Sequence, residues 1–277
     1  MKFIKMYGAG NDYIYIDCFN EAVENPESLA KKLSDRHFGI GADGIVLIKP
    51  SKKADCFMDI YNADGSRAEM CGNAVRCTAK YIYDNKINNS IINIETLSGI
   101  KSVEILTENG VAVGGRVNMG RPILNGHQIP TRYGDSIVKN KVLNIDNNYY
   151  EITCVSMGNP HCVVFHNNIH KLNLEKIGPL FENHEMFPER INTEFAEVID
   201  KNYLKMRVWE RGSGETLACG TGACAVAVAS VINGLCSKNK EIKIRAKGGM
   251  LSVNWHENDN VYLSGNAVNV FQGDIFI

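Results

Sequence analysis

The sequence lacks several features that would assign it to particular classes of protein. No segment approaches the ~20 consecutive apolar residues needed to span a membrane. The N-terminal stretch MKFIKMYGAGNDYIYID interleaves charged with apolar residues, which is not the pattern of a secretory signal. The formal net charge is only −1, with 30 basic and 31 acidic residues scattered along the chain. We therefore expect a soluble cytoplasmic protein that binds neither nucleic acid nor membranes.

Patterns for metals, nucleotides and structural disulfides are also missing. The nine cysteines are spread along the chain without a dense framework, which favours reduced thiols. CGNAVRC and CGTGAC are spaced too widely for the close ligand pairs of zinc sites, so no metal is expected. GAGNDY is not the dinucleotide fingerprint and GTGA lacks the lysine of a P-loop. No cofactor is indicated by any of these segments.

What the sequence does contain is an internal repeat, and a repeat determines architecture. EMCGNAVRCTAKYIYDN (69–85) is similar to LACGTGACAVAVASVIN (217–233), and MYGAGNDYIYID (6–17) to CVSMGNPHCVVF (154–165). Asn11 thereby corresponds to Asn159, and Cys71 to Cys219, at a common offset of 148. After the helix the offset becomes 150, since 97–115 is similar to 247–265.

The repeat predicts an α+β fold of two pseudo-symmetric domains, each a mixed, mainly antiparallel sheet wrapped around a central helix. We predict that residues 1–118 and 266–277 form the first domain and residues 119–265 the second, with an active-site cleft between them. The last strand, in AVNVFQGDIFI, is assigned to the first domain because its counterpart, MGRPILNGHQI, precedes the second repeat. Exposed strand edges favour a homodimer.

Local signals predict individual elements. ENPESLAKKLSDRHFG begins with Asn25 and Pro26, which predicts a capped helix that ends before Gly39. FMDIYNADGSRAEM predicts a strand, an Asp-Gly turn and a return towards Cys71.

Cys71 and Cys219 each precede a glycine and then a predicted helix, a context that favours chemistry. The first N–H groups of a helix have no intrahelical partner and favour an anion. They could move a thiol pKa from about 8.5 towards ~7. The glycines would let a substrate carboxylate approach the same N–H groups. Two such helix starts suit a reaction in which one cysteine removes a proton from a carbon and the other delivers one to the opposite face.

Three other interpretations remain open at this point. A cysteine before a helix is often a small buried apolar residue. Cys71 and Cys219 could form a redox pair. A noncatalytic protein could use the same helix starts to bind an anion, although this would leave the cysteines unexplained.

The motifs GAGNDY, RHFGIGADG, YNADGSRAEMCGNAVRC, SMGNPH, PERINTEFA and WERGSGETLACGTGACA occur in the order and spacing of diaminopimelate epimerases, and the chain resembles that family over essentially its whole length. The resemblance implies cofactor-independent interconversion of L,L- and meso-diaminopimelate, on the route to lysine and peptidoglycan. The related proline racemases and hydroxyproline epimerases are the alternative, but they typically have Gly-His after the first cysteine, where this chain has Gly72-Asn73.

The resemblance also implies roles for individual residues. Cys71 and Cys219 would be the base and the acid, tuned by His161 and Glu210. The α-carboxylate would be bound by Gly72 with Asn73 and by Gly220 with Thr221. Asn11 would line the site, and the distal end of the substrate would be bound by Asn62, Asn159, Asn192, Glu210 and Arg211.

One position departs from the family pattern. Some members have glutamine where this chain has Gly44, and the repeat aligns Gly44 with Asn192. We expect one side-chain contact to the substrate to be missing there.

Overall fold

A computed structural model describes residues 1–276, which divide into two compact units. The first unit is Met1–Asn118 together with the segment from Ser264 onwards, and the second is Met119–Leu263. Within the described residues, no helix combines the length and the apolar character required to cross a membrane.

The first unit is a mixed sheet around one long helix. Most neighbouring strands are antiparallel, and the parallel exceptions are the pair that includes Tyr13 and Gly44 and the pair that includes Cys56 and Ile94. Its elements up to Asn118 are β1 (Lys2–Gly8), β2 (Asn11–Asp17), α1 (Pro26–Ser34), β3 (Gly44–Lys49), β4 (Cys56–Asn62), β5 (Arg67–Ala68), α2 (Gly72–Asn85), β6 (Ile91–Thr96), β7 (Gly99–Glu108) and β8 (Val111–Asn118).

The second unit repeats this plan. Its parallel pairs include His161 beside Asn192 and Leu204 beside Ile244, which are the counterparts of the parallel pairs in the first unit. Its elements are β9 (Lys141–Ile145), β10 (Asn148–Ser156), β11 (Pro160–Phe165), a 3₁₀ turn (Ile169–Lys171), α3 (Leu174–Glu182), β12 (Asn192–Asp200), β13 (Tyr203–Glu210), β14 (Gly214–Thr216), α4 (Gly220–Ile232), β15 (Ile242–Ala246), β16 (Gly249–Trp255) and β17 (Val261–Asn266).

The chain leaves the second unit within β17, at the step from Leu263 to Ser264. The strand that follows, β18 (Val268–Asp274), pairs antiparallel with β1. The chain therefore closes the first unit with its last strand.

Each central helix is enclosed by strands of its own unit. In α4 every residue from Gly222 to Ser230 is buried, and most of them are alanine or valine. A helix that is apolar on all sides is stable only when its whole circumference is covered, and small side chains let the strands approach closely. In α2 the residues from Asn73 to Ile82 are buried in the same way.

These features confirm the predicted α+β fold with a repeated plan. The predicted strand, turn and return are also present, because β4 pairs antiparallel with β5 across the Asp-Gly turn. The helix predicted from Asn25 is capped by the Asn25 side chain, which accepts from the N–H of Ser28 at 3.2 Å. It ends at Ser34, before Gly39 as predicted, and the Asp35 side chain accepts from the N–H groups of His37 and Phe38 in the turn that follows.

Candidate active site

Both candidate cysteines occupy the residue immediately before a central helix. Cys71 precedes α2 with φ −138° and ψ 119°, and Cys219 precedes α4 with φ −115° and ψ 118°. These are extended conformations, from which the side chain of an N-cap residue reaches the first N–H groups of the helix. The repeat in sequence is therefore a repeat in backbone geometry at each cysteine.

In the first unit, Cys71 is half-buried and its thiol donates to Oδ1 of Asn11 at 3.2 Å. The amide of Asn11 is fixed in turn, because its Nδ2 donates to Asp43 at 2.8 Å. Asp43 is paired with Arg36 at 3.0 Å. This network orients the oxygen of Asn11 towards the sulfur.

The first turn of α2 contains a buried cation that sequence reasoning missed. Arg76 is fully buried and donates to the carbonyl oxygen of Gly72 and to Oδ1 of Asn73, both at 2.8 Å. The guanidinium adds positive charge to a helix start that already favours anions. The signal that could have found Arg76 was the repeat, because it aligns this charged residue with Cys224, a small apolar residue of the second helix.

Gly44 has no room for a side chain. A Cβ added there would lie 2.1 Å from the carbonyl oxygen of Tyr61 and 2.8 Å from the ring of Tyr13. The backbone around Gly44 therefore leaves no space for a side chain, and the loss of a substrate contact there stays a prediction. Asn62 pairs with Gly44 in the sheet, and its side chain donates to Ser66 Oγ at 3.0 Å.

In the second unit, Cys219 is almost fully buried, and its sulfur contacts the first turn of α4. Sγ accepts from the N–H of Gly222 at 3.3 Å and lies 3.4 Å from the hydroxyl of Thr221. Gly220 is the first residue of the helix. The N–H of Gly222, in the first turn of α4, therefore points at this sulfur.

The electrostatic consequence is nevertheless opposite to the one expected from the sequence. Burial raises the pKa of the Cys219 thiol well above its ordinary value, and the nearby carboxylates of Glu210 and Glu194 raise it further. The hydrogen bonds from Thr221 and Gly222 act in the other direction but do not outweigh these effects. The expected lowering of the Cys219 pKa towards ~7 is wrong for the ligand-free protein, because desolvation penalises the thiolate more than the helix start stabilises it.

Glu210 ends β13 close to this thiol. Burial raises its pKa, whereas hydrogen bonds from Thr216, at 2.5 Å, and from Cys219 lower it. The charge of His161 also lowers the Glu210 pKa, and that of Glu194 raises it. The pKa of Glu210 therefore depends on the charges of both His161 and Glu194.

His161 lies fully buried on β11 between two side chains. Its Nδ1 is 2.7 Å from Oε1 of Glu194, and its Nε2 is 3.0 Å from Oδ1 of Asn159. Glu194 was missed by sequence reasoning. The signal for it in the sequence was limited to one acidic residue between Thr193 and Phe195, in the first half of β12, which the structure buries.

The side chain of Asn192 is hydrogen-bonded to the backbone of Arg211. The side chain of Asn192 accepts from the N–H of Arg211 at 3.0 Å and donates to the carbonyl oxygen of Pro160 at 2.8 Å. The guanidinium of Arg211 donates to the carbonyl oxygen of Glu189 at 2.9 Å. Asn192 thereby fixes the residue that follows Glu210.

The same turn is held from the opposite side by an acid of α3. Oε1 of Glu182 accepts from the N–H of Gly212 at 2.9 Å, and its Oε2 accepts from the indole of Trp209 at 2.7 Å. Glu182 is buried and was also missed by the sequence analysis.

The predicted residues therefore form one local group within each unit. The first contains Cys71 with Asn11 and, through Arg76, Gly72 with Asn73; Asn62 lies at the end of β4 and is bonded to Ser66. The second group contains Cys219, Gly220, Thr221, Glu210, His161 and Asn159, with Asn192 and Arg211 at the adjoining turn. In the part of the chain that the structure describes, no set of three or more His, Cys, Asp or Glu side chains could hold a metal ion.

Comparison with known proteins gives consistent results. The family model described as diaminopimelate epimerase matches residues 3–124 and 153–270. The chain is 54% identical to a diaminopimelate epimerase of Acetivibrio thermocellus, over 99% of this chain and 98% of that protein. It is 53% identical to one of Methanococcus maripaludis, over the full length of both.

Solved structures extend the similarity at the level of the fold. A phenazine biosynthesis protein of the PhzF family from Bacillus anthracis superposes with a TM-score of 0.71 at 15% identity, covering 100% of this chain and 99% of that chain. A hydroxyproline epimerase from Agrobacterium vitis superposes with a TM-score of 0.67 at 11% identity, covering 99% and 90%. At these identities the likeness concerns the fold alone.

Proposed function

This chain belongs to the diaminopimelate epimerase family, and we propose that it interconverts L,L- and meso-diaminopimelate by proton transfer between the α-carbon and two cysteines. The observation that carries the proposal is the family match along the whole chain, joined to a cysteine at the start of each central helix. The redox and anion-binding interpretations explain neither feature as well.

The proton balance of the proposed reaction needs both sulfurs. One cysteine, as thiolate, removes the α-proton and becomes a thiol. The other, as thiol, protonates the opposite face of the carbon and becomes a thiolate. No net proton is gained or lost, and the two cysteines have exchanged roles for the reverse reaction. The mechanism requires Cys71 and Cys219 to reach opposite faces of one α-carbon in the substrate complex.

We assign binding of the α-carboxylate to the helix starts. The N–H groups at Gly72 and Asn73 in α2, and at Gly220 and Thr221 in α4, lie where a helix favours an anion. Stabilising this carboxylate also stabilises the negative charge that develops when the α-proton leaves. Because an α-proton is a much weaker acid than a thiol, exclusion of water and close placement of the sulfurs must contribute as well.

The distal amino-acid end of the substrate is assigned to the asparagines and to Arg211. A guanidinium binds a carboxylate with two parallel hydrogen bonds, and an asparagine offers a donor and an acceptor together. This set consists of Asn62, Asn159, Asn192, Glu210 and Arg211, with Asn11 beside Cys71. A small cyclic imino acid such as proline would leave most of these groups without a partner.

The proposal is tested by isotope exchange. Reduced protein is incubated with L,L-diaminopimelate in deuterated water, and deuterium at the α-carbon is followed together with formation of the meso isomer. Both are expected. Absence of exchange with active, reduced protein would sink the assignment, and exchange with proline instead would select the racemase alternative. Thiol-dependent disulfide exchange without isotope entry would indicate a redox protein.

Two broader features belong to the same proposal. A cytoplasmic location is supported by nine cysteines that all carry thiols, and cell fractionation tests it.

A homodimer is supported by β18, which pairs with β1 and exposes Val270 and Phe271. Light scattering of the purified protein would measure the mass, and a monomer mass at all concentrations would refute the dimer.

A further inference from the structure

Glu194 is a fully buried acid, and it contacts one ring nitrogen of the buried His161. The carboxylate oxygen Oε1 lies 2.7 Å from Nδ1 of His161, and the amide oxygen of Asn159 lies 3.0 Å from Nε2. A carboxylate oxygen and an amide oxygen both accept hydrogen bonds. With the amide oxygen of Asn159 facing Nε2, both ring nitrogens lie opposite acceptor oxygens, an arrangement that suits an imidazolium opposite a carboxylate.

We infer that Glu194 is a positioning residue: it holds His161 doubly protonated and, through His161, fixes the side-chain amide of Asn159. With Oδ1 of Asn159 engaged by the imidazole, the Nδ2 donor is the group left to face a substrate carboxylate. The part that concerns Asn159 rests on the proposed function, whereas the protonation of His161 does not depend on it.

The first turn of α4 is built around this acid. A Cβ added to Gly222 would lie 2.5 Å from Oε1 of Glu194, so glycine is required for the carboxylate to reach His161. The corresponding residues of the first unit are Ala74 and Val46, which are both buried and apolar. The acid and the glycine therefore occur together in one unit and are both replaced in the other.

The charge of Glu194 acts on three further titratable groups of the second unit. It raises the pKa of Cys219, of Glu210 and of the buried Cys162. A protonated His161 offsets this charge, and it lowers the pKa of Glu210. Removing His161 alone would leave an uncompensated buried carboxylate beside Cys219, whereas removing both charges would not.

The first test reads the imidazole directly in the free protein. Long-range ¹H–¹⁵N NMR is recorded on labelled protein at pH 7, and the His161 signals are identified by their loss in His161→Gln. We expect both nitrogens to be protonated in the wild type. In Glu194→Gln the amide can donate to Nδ1, so Nδ1 should lose its proton while Nε2 keeps it. Glu197→Gln, the same change on the same strand, should match the wild type. An unprotonated ring nitrogen in the wild type, or identical spectra for Glu194→Gln and the wild type, would overturn the inference.

The second test is a double-mutant cycle on kcat/KM for isotope exchange. We expect His161→Gln to lose the most activity, and His161→Gln/Glu194→Gln to be about tenfold more active than that single variant, a coupling typical of residues in contact. A purely structural contact would make the double variant equal to or worse than the single variant, and that result would refute the charge balance. If the wild type shows no exchange at all, the proposed function fails while the NMR result still decides the protonation of His161.

Discussion

The two units share a backbone plan but differ in the charges around their cysteines. In the first unit the helix after Cys71 carries the buried cation Arg76, and in the second unit the helix after Cys219 packs against the buried acid Glu194. Glu210 adds a second acid beside Cys219, at a position that the repeat aligns with the neutral Asn62. The two units thus keep the same backbone plan but place charges of opposite sign near the helices that follow their cysteines.

The largest effect is expected from replacing either cysteine. The two units differ in charge, but the proton balance of the proposed reaction requires both sulfurs. Cys71→Ser and Cys219→Ser should each reduce turnover of L,L-diaminopimelate by a factor on the order of 10² to 10⁴, the range for loss of a general acid or base. Formation of the meso isomer measures this. Cys236→Ser, in a thiol outside both groups, serves as the control. Full activity in either variant would show that one unit suffices.

The next effect concerns the matched positions Gly44 and Asn192. Gly44→Asn forces a side chain against the backbone of Tyr61 and should lower the free energy of unfolding by ~3 kcal/mol or more, at the upper end of overpacking effects. Gly110→Asn is a suitable control, since a Cβ there meets nothing within 4 Å and asparagine tolerates its positive φ. Urea denaturation measures both.

The opposite exchange, Asn192→Gly, removes the partner of Arg211 N–H and of the Pro160 carbonyl. We expect a loss of about 1 to 3 kcal/mol for the unsatisfied groups, smaller than for Gly44→Asn. If Gly44→Asn and Asn192→Gly lowered the free energy of unfolding equally, the two units would tolerate the exchange of these residues equally.

A smaller effect is expected from removing one of the two acids beside Cys219. Glu210 raises the pKa of Cys219, so Glu210→Gln should lower it, and the thiolate fraction at a given pH should rise. The rate of Cys219 alkylation, followed by peptide mass spectrometry between pH 7 and 10, should shift to lower pH. Asn62→Glu places an acid at the corresponding position of the first unit and should slow alkylation of Cys71.

Glu215→Gln is the matched control for this measurement. Glu215 is paired with Arg207 and Lys247 rather than with Cys219. A shift of the Cys219 curve in Glu215→Gln as large as that in Glu210→Gln would contradict a specific effect of Glu210.

The smallest effect is expected where the two units are alike. Asn25 caps α1 and Asn173 caps α3, each accepting from an N–H three residues later at 3.2 Å. Replacement of either by alanine should cost about 1 kcal/mol. A difference of more than twofold between the two losses, measured by urea denaturation, would show that the likeness of the units does not extend to these caps.

Local patterns and the repeat were sufficient to predict the architecture and both cysteine positions. The register is also repeated, since Tyr13 pairs with Gly44 as His161 pairs with Asn192. Such features follow from backbone periodicity and helix signals, which a sequence displays directly.

The electrostatics of the site could not be predicted in the same way. The pKa of Cys219 depends on its burial and on Glu194, which lies 25 positions earlier in the sequence and reaches α4 only through the folded sheet. Likewise, the fully buried state of Arg76 depends on the strands that enclose α2. Desolvation is a property of the packed structure, and a helix-start signal contains no information about it.

The contact between Glu182 and Trp209 has a practical consequence. The chain has two tryptophans, and one of them shares Glu182 with the turn that follows Glu210. Any rearrangement of that turn alters the hydrogen bond of the indole and hence its fluorescence. With Trp255 replaced by phenylalanine, the protein would carry a built-in optical reporter, so that ligand arrival in the second unit could be timed in a stopped-flow instrument without a label.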